Sequence, residues 1–220
     1  MTHNRCLGSP PLRRTAGLAR VNRMPDKSLK VLAVVGSLNK NSATRVVINH
    51  VAAELASQRC AVDVLDFLHQ PLALYNPDSA HQLESYSPLK ERVEHADVYV
   101  LGTPDYHGSI SSALKNFLDH FWHEFAGKLF ATIVASHEKG LTVTDQLRTV
   151  ARQCYAWSLP YGVSFVDRED VREGRVVSDA LKKRLDMFIR DVRVYGELLA
   201  AQRRADLSGT DAGFLARLRK

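Results

Sequence analysis

The chain has 220 residues, 45% of them hydrophobic and 25% charged, which bounds it to one globular domain with or without tails and excludes a disordered protein. Its formal net charge of +6 invites a nucleic-acid or membrane-surface partner until the charges are placed. Residues 1–23 are +5 and residues 203–220 are +3, so the body at 24–202 is net −2 and the basicity belongs to the ends.

In chain order, residues 1–23 come first. They carry five arginines and no acid, show no apolar period, and contain Gly8, Pro10, Pro11 and Gly17. They are expected to be a flexible basic arm. Three origins fit it: a translation start placed ahead of Met24, an unstructured tail, or an Arg-rich targeting segment. The arm lacks the interleaved aromatics of a single-strand nucleic-acid site, and no nucleic-acid partner is expected.

Lys30–Val35 is a continuous apolar, β-branched run closed by Gly36, which predicts a strand buried on both faces. From Ser42 to about Ser57 the pattern is helical, with Val47, Val51 and Leu55 four apart. Residues 61–66 alternate like a second strand. An irregular stretch with Pro71, Pro77 and Pro88 follows, then a short helix near 88–95 and a third strand over 97–103. Ile110, Ala113, Leu114, Phe117, Leu118, Phe121, Trp122 and Phe125 draw one apolar stripe, predicting a helix of four turns. A fourth strand is expected at 128–135, a helix at 141–155 and a weaker fifth strand at 159–166. A last helix is expected at about 178–203, with Leu181, Leu185, Phe188, Ile189, Val192, Tyr195 and Leu199 inward and Lys182, Lys183 and Arg184 on its wet face. The final residues, 203–220, read as a basic tail.

Cys6, Cys60 and Cys154 are odd in number and form no C-x-x-C pair, so neither a disulfide framework nor a zinc ribbon fits. They are expected to be inert buried thiols. No apolar run of about 18 residues and no signal h-region is present, so no membrane partner is expected and a reducing cytoplasm is the default. His120, His123 and Glu124 have helical spacing but no H-E-x-x-H pattern, so no metal is expected.

Strands alternating with helices imply a parallel sheet covered on both faces, with ligands outside the carboxyl ends of the strands. The loops there are the candidate site. The first, Gly36 to Arg45, holds Ser37, Asn39, Asn41, Ser42 and Thr44 beside a helix N-terminus. Hydroxyls, amides and free N–H groups at the positive end of a helix suit a phosphate. Capping by Ser42 or Asn41 alone would explain one of these residues, not five. Gly-x-Gly-x-x-Gly and Gly-x-x-x-x-Gly-Lys-Ser/Thr are both absent, which disfavours a dinucleotide fingerprint and a Walker loop and leaves a mononucleotide. The second loop, Thr103-Pro104-Asp105-Tyr106-His107-Gly108-Ser109, offers planar rings and backbone polar groups to a flat heteroaromatic ring, or reads simply as a turn with Ser109 as N-cap. The third, Ser136-His137-Glu138-Lys139-Gly140, can close on the same ring.

With these motifs, and with Ala113-Leu114-Lys115-Asn116-Phe117-Leu118-Asp119 after the second loop, residues 29–165 resemble the NADPH-dependent FMN reductase family, which includes quinone, chromate, azo-dye and arsenical-resistance flavoproteins. The resemblance implies a flavodoxin-like, doubly wound, five-stranded parallel sheet of order 2-1-3-4-5, and a homodimer or homotetramer. It implies FMN as cofactor, NADPH or NADH as donor and a small-molecule electron acceptor. It puts Ser37, Asn39, Ser42 and Thr44 on the FMN phosphate, Pro104, Asp105, Tyr106 and His107 around the ring, and Ser136 in the third flavin-contacting loop. The sequence departs from the family pattern at two positions and one loop: Asn39 stands where Arg is frequent, His107 where Asn is frequent, and His137-Glu138-Lys139 replace a Gly-rich loop. Charge on the phosphate would then fall to Arg45 or Lys40. His107 and Lys139 are candidates for stabilising the reduced ring or protonating an acceptor. The runner-up is a flavodoxin-like electron carrier or interaction module that holds FMN without nicotinamide turnover.

Overall fold

The computed structural model describes residues 28–219; the basic arm at 1–23 lies outside the described residues. The elements run β1 (Lys30–Val35), α1 (Ala43–Ser57), β2 (Ala61–Asp66), α2 (Tyr86–His95), β3 (Val98–Tyr106), β4 (Ser109–Ile110), α3 (Ser112–Asp119), β5 (Leu129–Ala135), α4 (Leu141–Gln153), β6 (Trp157–Ser158), β7 (Val163–Phe165), β8 (Val171–Arg172), β9 (Arg175–Val176) and α5 (Asp179–Ser208).

The sheet order is β2-β1-β3-β5-β6, with β7 continuing alongside β5 and β4 folded back on β3. Its main pairs are parallel: Lys30 stands opposite Ala61, Val31 opposite Val98, and Val98 opposite Leu129. Each parallel pair needs a helical crossover, and those helices cover both faces. Period-2 alternation divides the strand side chains between them. Val31, Ala33 and Val35 pack with Val47, Val51 and Leu55 of α1 and Leu185 and Phe188 of α5. Leu32, Val34, Tyr99 and Leu101 pack with Leu114, Phe117 and Leu147 on the other face. This is the expected flavodoxin-like order, with the last two expected strands numbered β5 and β7 here. Among the described residues no helix is long and apolar enough to cross a membrane.

Several expectations are corrected. The helix predicted over 110–125 is broken. Ile110 belongs to β4, α3 ends at Asp119, and a 3-10 turn covers His123–Phe125. Phe121 and Phe125 still reach the core, with ring centroids 5.6 and 6.1 Å from Phe117. The apolar stripe therefore reported burial, while the backbone between its members did not stay helical. Trp122, half exposed, donates its indole N–H to Gln153 O. Of the fifth strand expected at 159–166 only Val163–Phe165 forms, as β7; β6 pairs with β5 just before the expected start, and Leu159-Pro160-Tyr161-Gly162 between them are in no strand. Pro160 has no N–H for a ladder, and a Cβ on Gly162 would stand 2.6 Å from Thr132 Oγ1.

The last helix runs to Ser208, past its expected end at about 203. The chain beyond it packs back: Leu215 is buried, and Arg219 donates to Asp206 O and Asp211 O; within the helix, Arg203 Nε donates to Ala126 O. Tyr195 is exposed rather than inward, and Gly196 and Ala200 take the inner face. A Cβ on Gly196 would lie 2.7 Å from Val98. The β8–β9 hairpin had no counterpart in the sequence reading; its Glu173 and Gly174 occupy the left-handed backbone region that a tight two-residue turn requires.

Candidate functional site

The site is built where β1, β3 and β5 end. The chain leaves β1 through Gly36, whose N–H donates to Gly102 O at 2.8 Å. A Cβ on Gly36 would stand 2.6 Å from that same oxygen, and one on Gly102 would stand 2.5 Å from Ile48. Two glycines at adjacent strand ends thus let the first loop and α1 settle directly on the sheet.

Arg45 organises the first loop. Its guanidinium pairs with Asp66 at the end of β2 (Nε–Oδ2 2.5 Å, Nη2–Oδ1 3.1 Å). The same group donates to Ser37 O at 3.1 Å, Asn39 O at 2.6 Å and Lys40 O at 3.3 Å. Three carbonyls are thereby gathered on one cation. Asn41 N–H is held by Asn39 Oδ1, and Arg45 N–H by Ser42 Oγ in the N-cap. The pair is nearly buried, with side-chain exposures of 13% and 12%. Burial by itself pushes the Asp66 carboxyl up, but the Arg45 hydrogen bonds, the Leu68 N–H and the Arg45 charge hold it below its ordinary value. Arg45 is therefore a brace for the loop, committed to Asp66 rather than free for a phosphate.

The second loop is a hairpin. β3 continues through Pro104 and Asp105 to Tyr106 and returns as β4, with Tyr106 opposite Ser109. His107 and Gly108 form its tip at φ +57 and +74, a two-residue turn with both residues in the left-handed region. Ser109 is not the N-cap; Ser111 is. Its Oγ accepts from Leu114 N and donates to Gly36 O at 2.5 Å, which ties α3 to the first loop. Gln146 of α4 clamps the hairpin from the side, taking Ser109 Oγ and Ile110 N on its Oε1 and reaching Gly108 O with its Nε2. Asp105 joins the second and third loops: Oδ1 accepts from Gly108 N and Oδ2 from Ser136 Oγ at 2.9 Å. Ser136 Oγ also accepts from Glu138 N.

Eight of the nine expected binding residues line one cleft of about 180 Å³: Ser37, Asn39, Ser42, Thr44, Pro104, Asp105, Tyr106 and Ser136. His107 is not among its lining residues; it stands exposed at the hairpin tip. Two larger clefts open from this one. A cleft of about 890 Å³ shares Asp105, Ser136 and His137 with it and adds Lys139, Phe165 and Arg184. A cleft of about 830 Å³ shares Asn41, Ser42 and Asp167 and runs under the β8–β9 hairpin. Lys182, Lys183 and Arg184 are exposed as expected, and Arg184 also lines the first of these two clefts. Sequence reasoning missed Ser111, Gln146, Asp66, Asp167 and Arg184. Each acts across at least 20 residues of sequence, or from a segment with no motif, so no local signal marked it.

The donor set suits a phosphate-bearing flat cofactor. The first-turn N–H groups of α1 precede its intrahelical ladder. Ser37, Ser42 and Thr44 add hydroxyls, and the loop carbonyls that would repel an anion are occupied by Arg45. Among the described residues there is no group of three or more His, Cys, Asp or Glu that could hold a metal ion.

The model of the family described as NADPH-dependent FMN reductase matches residues 29–170. An NADPH azoreductase of Bacillus sp. (strain OY1-2) is 29% identical over 171 residues, which cover 76% of this chain and 92% of the relative. An FMN-dependent NADPH-azoreductase of Staphylococcus aureus (strain USA300) is 26% identical over 149 residues, 64% of this chain and 79% of the relative. Among solved structures, an NADH:FMN oxidoreductase in its apo form superposes with a TM-score of 0.63 at 19% identity, covering 76% of this chain and 90% of that one; the likeness is of fold.

Proposed function

Since the chain belongs to the NADPH-dependent FMN reductase family, and is an NAD(P)H-dependent oxidoreductase by that membership, we propose that it passes electrons from a nicotinamide nucleotide to a small acceptor: free flavin, a quinone, an azo dye or a metal oxyanion. FMN, when bound, would supply the hydride- and electron-transfer chemistry. The chain's own residues bind, orient and exclude water. Ser37, Asn39, Ser42 and Thr44 hold the phosphate with the first turn of α1. Pro104, Asp105, Tyr106 and Ser136 border the ring. His107 contributes through the hairpin backbone, and Lys139 faces the acceptor from the neighbouring cleft.

The observation that carries this reading is the grip of Arg45 on three loop carbonyls, which occupies those acceptors beside a cleft that Ser37, Ser42 and Thr44 line with hydroxyls. Assembly as a homodimer or homotetramer belongs to the same proposal. The alternative, an FMN-holding electron carrier, is favoured by no particular residue; a body charge of −2 is small for an acidic carrier that docks by charge.

Absorption spectra of the purified protein, before and after addition of FMN and then NADPH, test the reading. A yellow protein bleached by NADPH and recoloured by a quinone or azo dye supports it. Absence of flavin binding sinks it, and flavin without nicotinamide turnover leaves the carrier. Ser42→Ala with Thr44→Ala should weaken FMN by about tenfold or more, by loss of hydrogen bonds to a charged group.

A further inference from the structure

The 830 Å³ cleft beside the phosphate loop lies between the start of α1 and the β8–β9 hairpin. The hairpin, residues 171–176, begins just past the segment matched by the family model, which ends at 170. Its register places Arg172 directly opposite Arg175. Like charges directly opposite on a two-stranded ribbon repel and destabilise it. Both line the cleft, and Lys40 of the first loop lines it too. Among the described residues, no carboxylate lies within 4.0 Å of the charged nitrogens of Lys40, Arg172 or Arg175. Arg172 is oriented through Nε, which donates to Arg168 O at 2.7 Å, and that bond leaves its two terminal nitrogens for a ligand. The acids in the cleft are Asp167, which accepts from Arg168 N, and Glu173 at the hairpin turn.

We propose that this cleft is a subsite for a tetrahedral oxyanion, a phosphate monoester or an aryl sulfonate, carried by one of the two substrates and gripped by Arg172 and Arg175 with Lys40 beside them. The physical case is the uncompensated arginine pair: an oxyanion between two guanidinium forks removes the repulsion and gains paired, charge-assisted hydrogen bonds. The cleft shares Asn41, Ser42 and Asp167 with the smaller one, so a molecule anchored here by its anion lies beside the first loop. The proposal rests on the function proposed above. Two sources share its chemistry, the 2′-phosphate that separates NADPH from NADH and the sulfonate of an anionic azo dye.

The test compares the FMN-saturated full chain with its Arg172→Gln/Arg175→Gln variant in two ways. Calorimetry with adenosine 2′-monophosphate and with benzenesulfonate reads the subsite without turnover. Loss of two charge-assisted contacts should weaken one of these probes by about tenfold or more at low salt, and the gap between the two proteins should narrow as salt rises. Steady-state KM is then measured for NADPH against NADH and for a sulfonated against an uncharged dye. A rise confined to NADPH assigns the donor's phosphate, and a rise confined to the sulfonated dye assigns the acceptor. Equal binding of both probes by the two proteins overturns the proposal. So does a KM rise shared by charged and uncharged substrates, which a merely structural hairpin would give. If the wild type neither binds flavin nor oxidises NAD(P)H, the reading of function fails instead, and calorimetry still decides the subsite.

Discussion

Arg45 joins two roles that mutation can separate. It forms a nearly buried pair with Asp66, and it draws in the carbonyls of Ser37, Asn39 and Lys40. Arg45→Met removes both roles and strands the Asp66 carboxylate at 12% exposure. Breaking one side of a buried pair costs about 3–5 kcal/mol. Residual solvent at this pair puts the expected loss near the lower end, about 3 kcal/mol. Adding Asp66→Leu removes the stranded charge, and apolar replacement of a buried pair is often neutral, so stability should return to within about 1 kcal/mol of the starting protein. FMN affinity should not return, because the three carbonyls stay ungathered in both variants. About tenfold weaker binding, or 1.4 kcal/mol, is expected in each. Urea unfolding of the apoprotein reads the first quantity, and flavin fluorescence titration the second. The reasoning is refuted if the double variant regains FMN affinity together with stability, for then the pair alone organised the loop. It is refuted equally if Arg45→Met changes neither.

The same pair sets an acid limit. Asp66 is held below its unfolded value, so its contribution is complete above about pH 4 and is lost as pH falls through the folded value; the Arg45→Met/Asp66→Leu variant should lose less stability on acidification. Lys128 works in the opposite window. It is buried at the start of β5, its Nζ bonded to Val93 O, Glu94 O and Tyr99 OH, and burial pulls its ammonium down to about 7. A lysine depressed on folding binds fewer protons than the unfolded chain between about pH 7 and 10, so stability should rise with pH across that range. Lys128→Met should flatten this slope in denaturation curves at pH 7, 8 and 9; an unchanged slope counts against the assignment. Gly102→Ala sets a Cβ 2.5 Å from Ile48 and 3.0 Å from Thr44 Cγ2, and should cost about 1–3 kcal/mol by overpacking while displacing Thr44 and weakening FMN. Gln146→Leu strips three polar contacts from the hairpin; faster release of bound flavin in stopped-flow dilution is expected, and an unaltered rate would show that the hairpin holds without its clamp.

Local pattern determined much of this protein. The apolar run Lys30–Val35, the alternation of Ala61–Asp66 and the four-residue spacing of Val47, Val51 and Leu55 each specify their element without outside help. Polar residues clustered directly after buried strands marked the loops of the site, because a parallel sheet has only one end at which such loops can gather. Tertiary structure decided the rest. The stripe from Ile110 to Phe125 did not show that α3 ends at Asp119, or that Trp122 beyond it meets Gln153, 31 residues away. The fifth strand forms only after Pro160 and Gly162, where a ladder N–H is missing and Thr132 comes too close for a side chain. Arg45 looked like a phosphate ligand until Asp66, 21 residues on, claimed it. Arg172 and Arg175 were two surface cations until the hairpin register set them face to face. Sequence periodicity records which face of an element is buried. What a charged or hydrogen-bonding side chain does depends on the partner the fold delivers, and that partner lies far away along the chain.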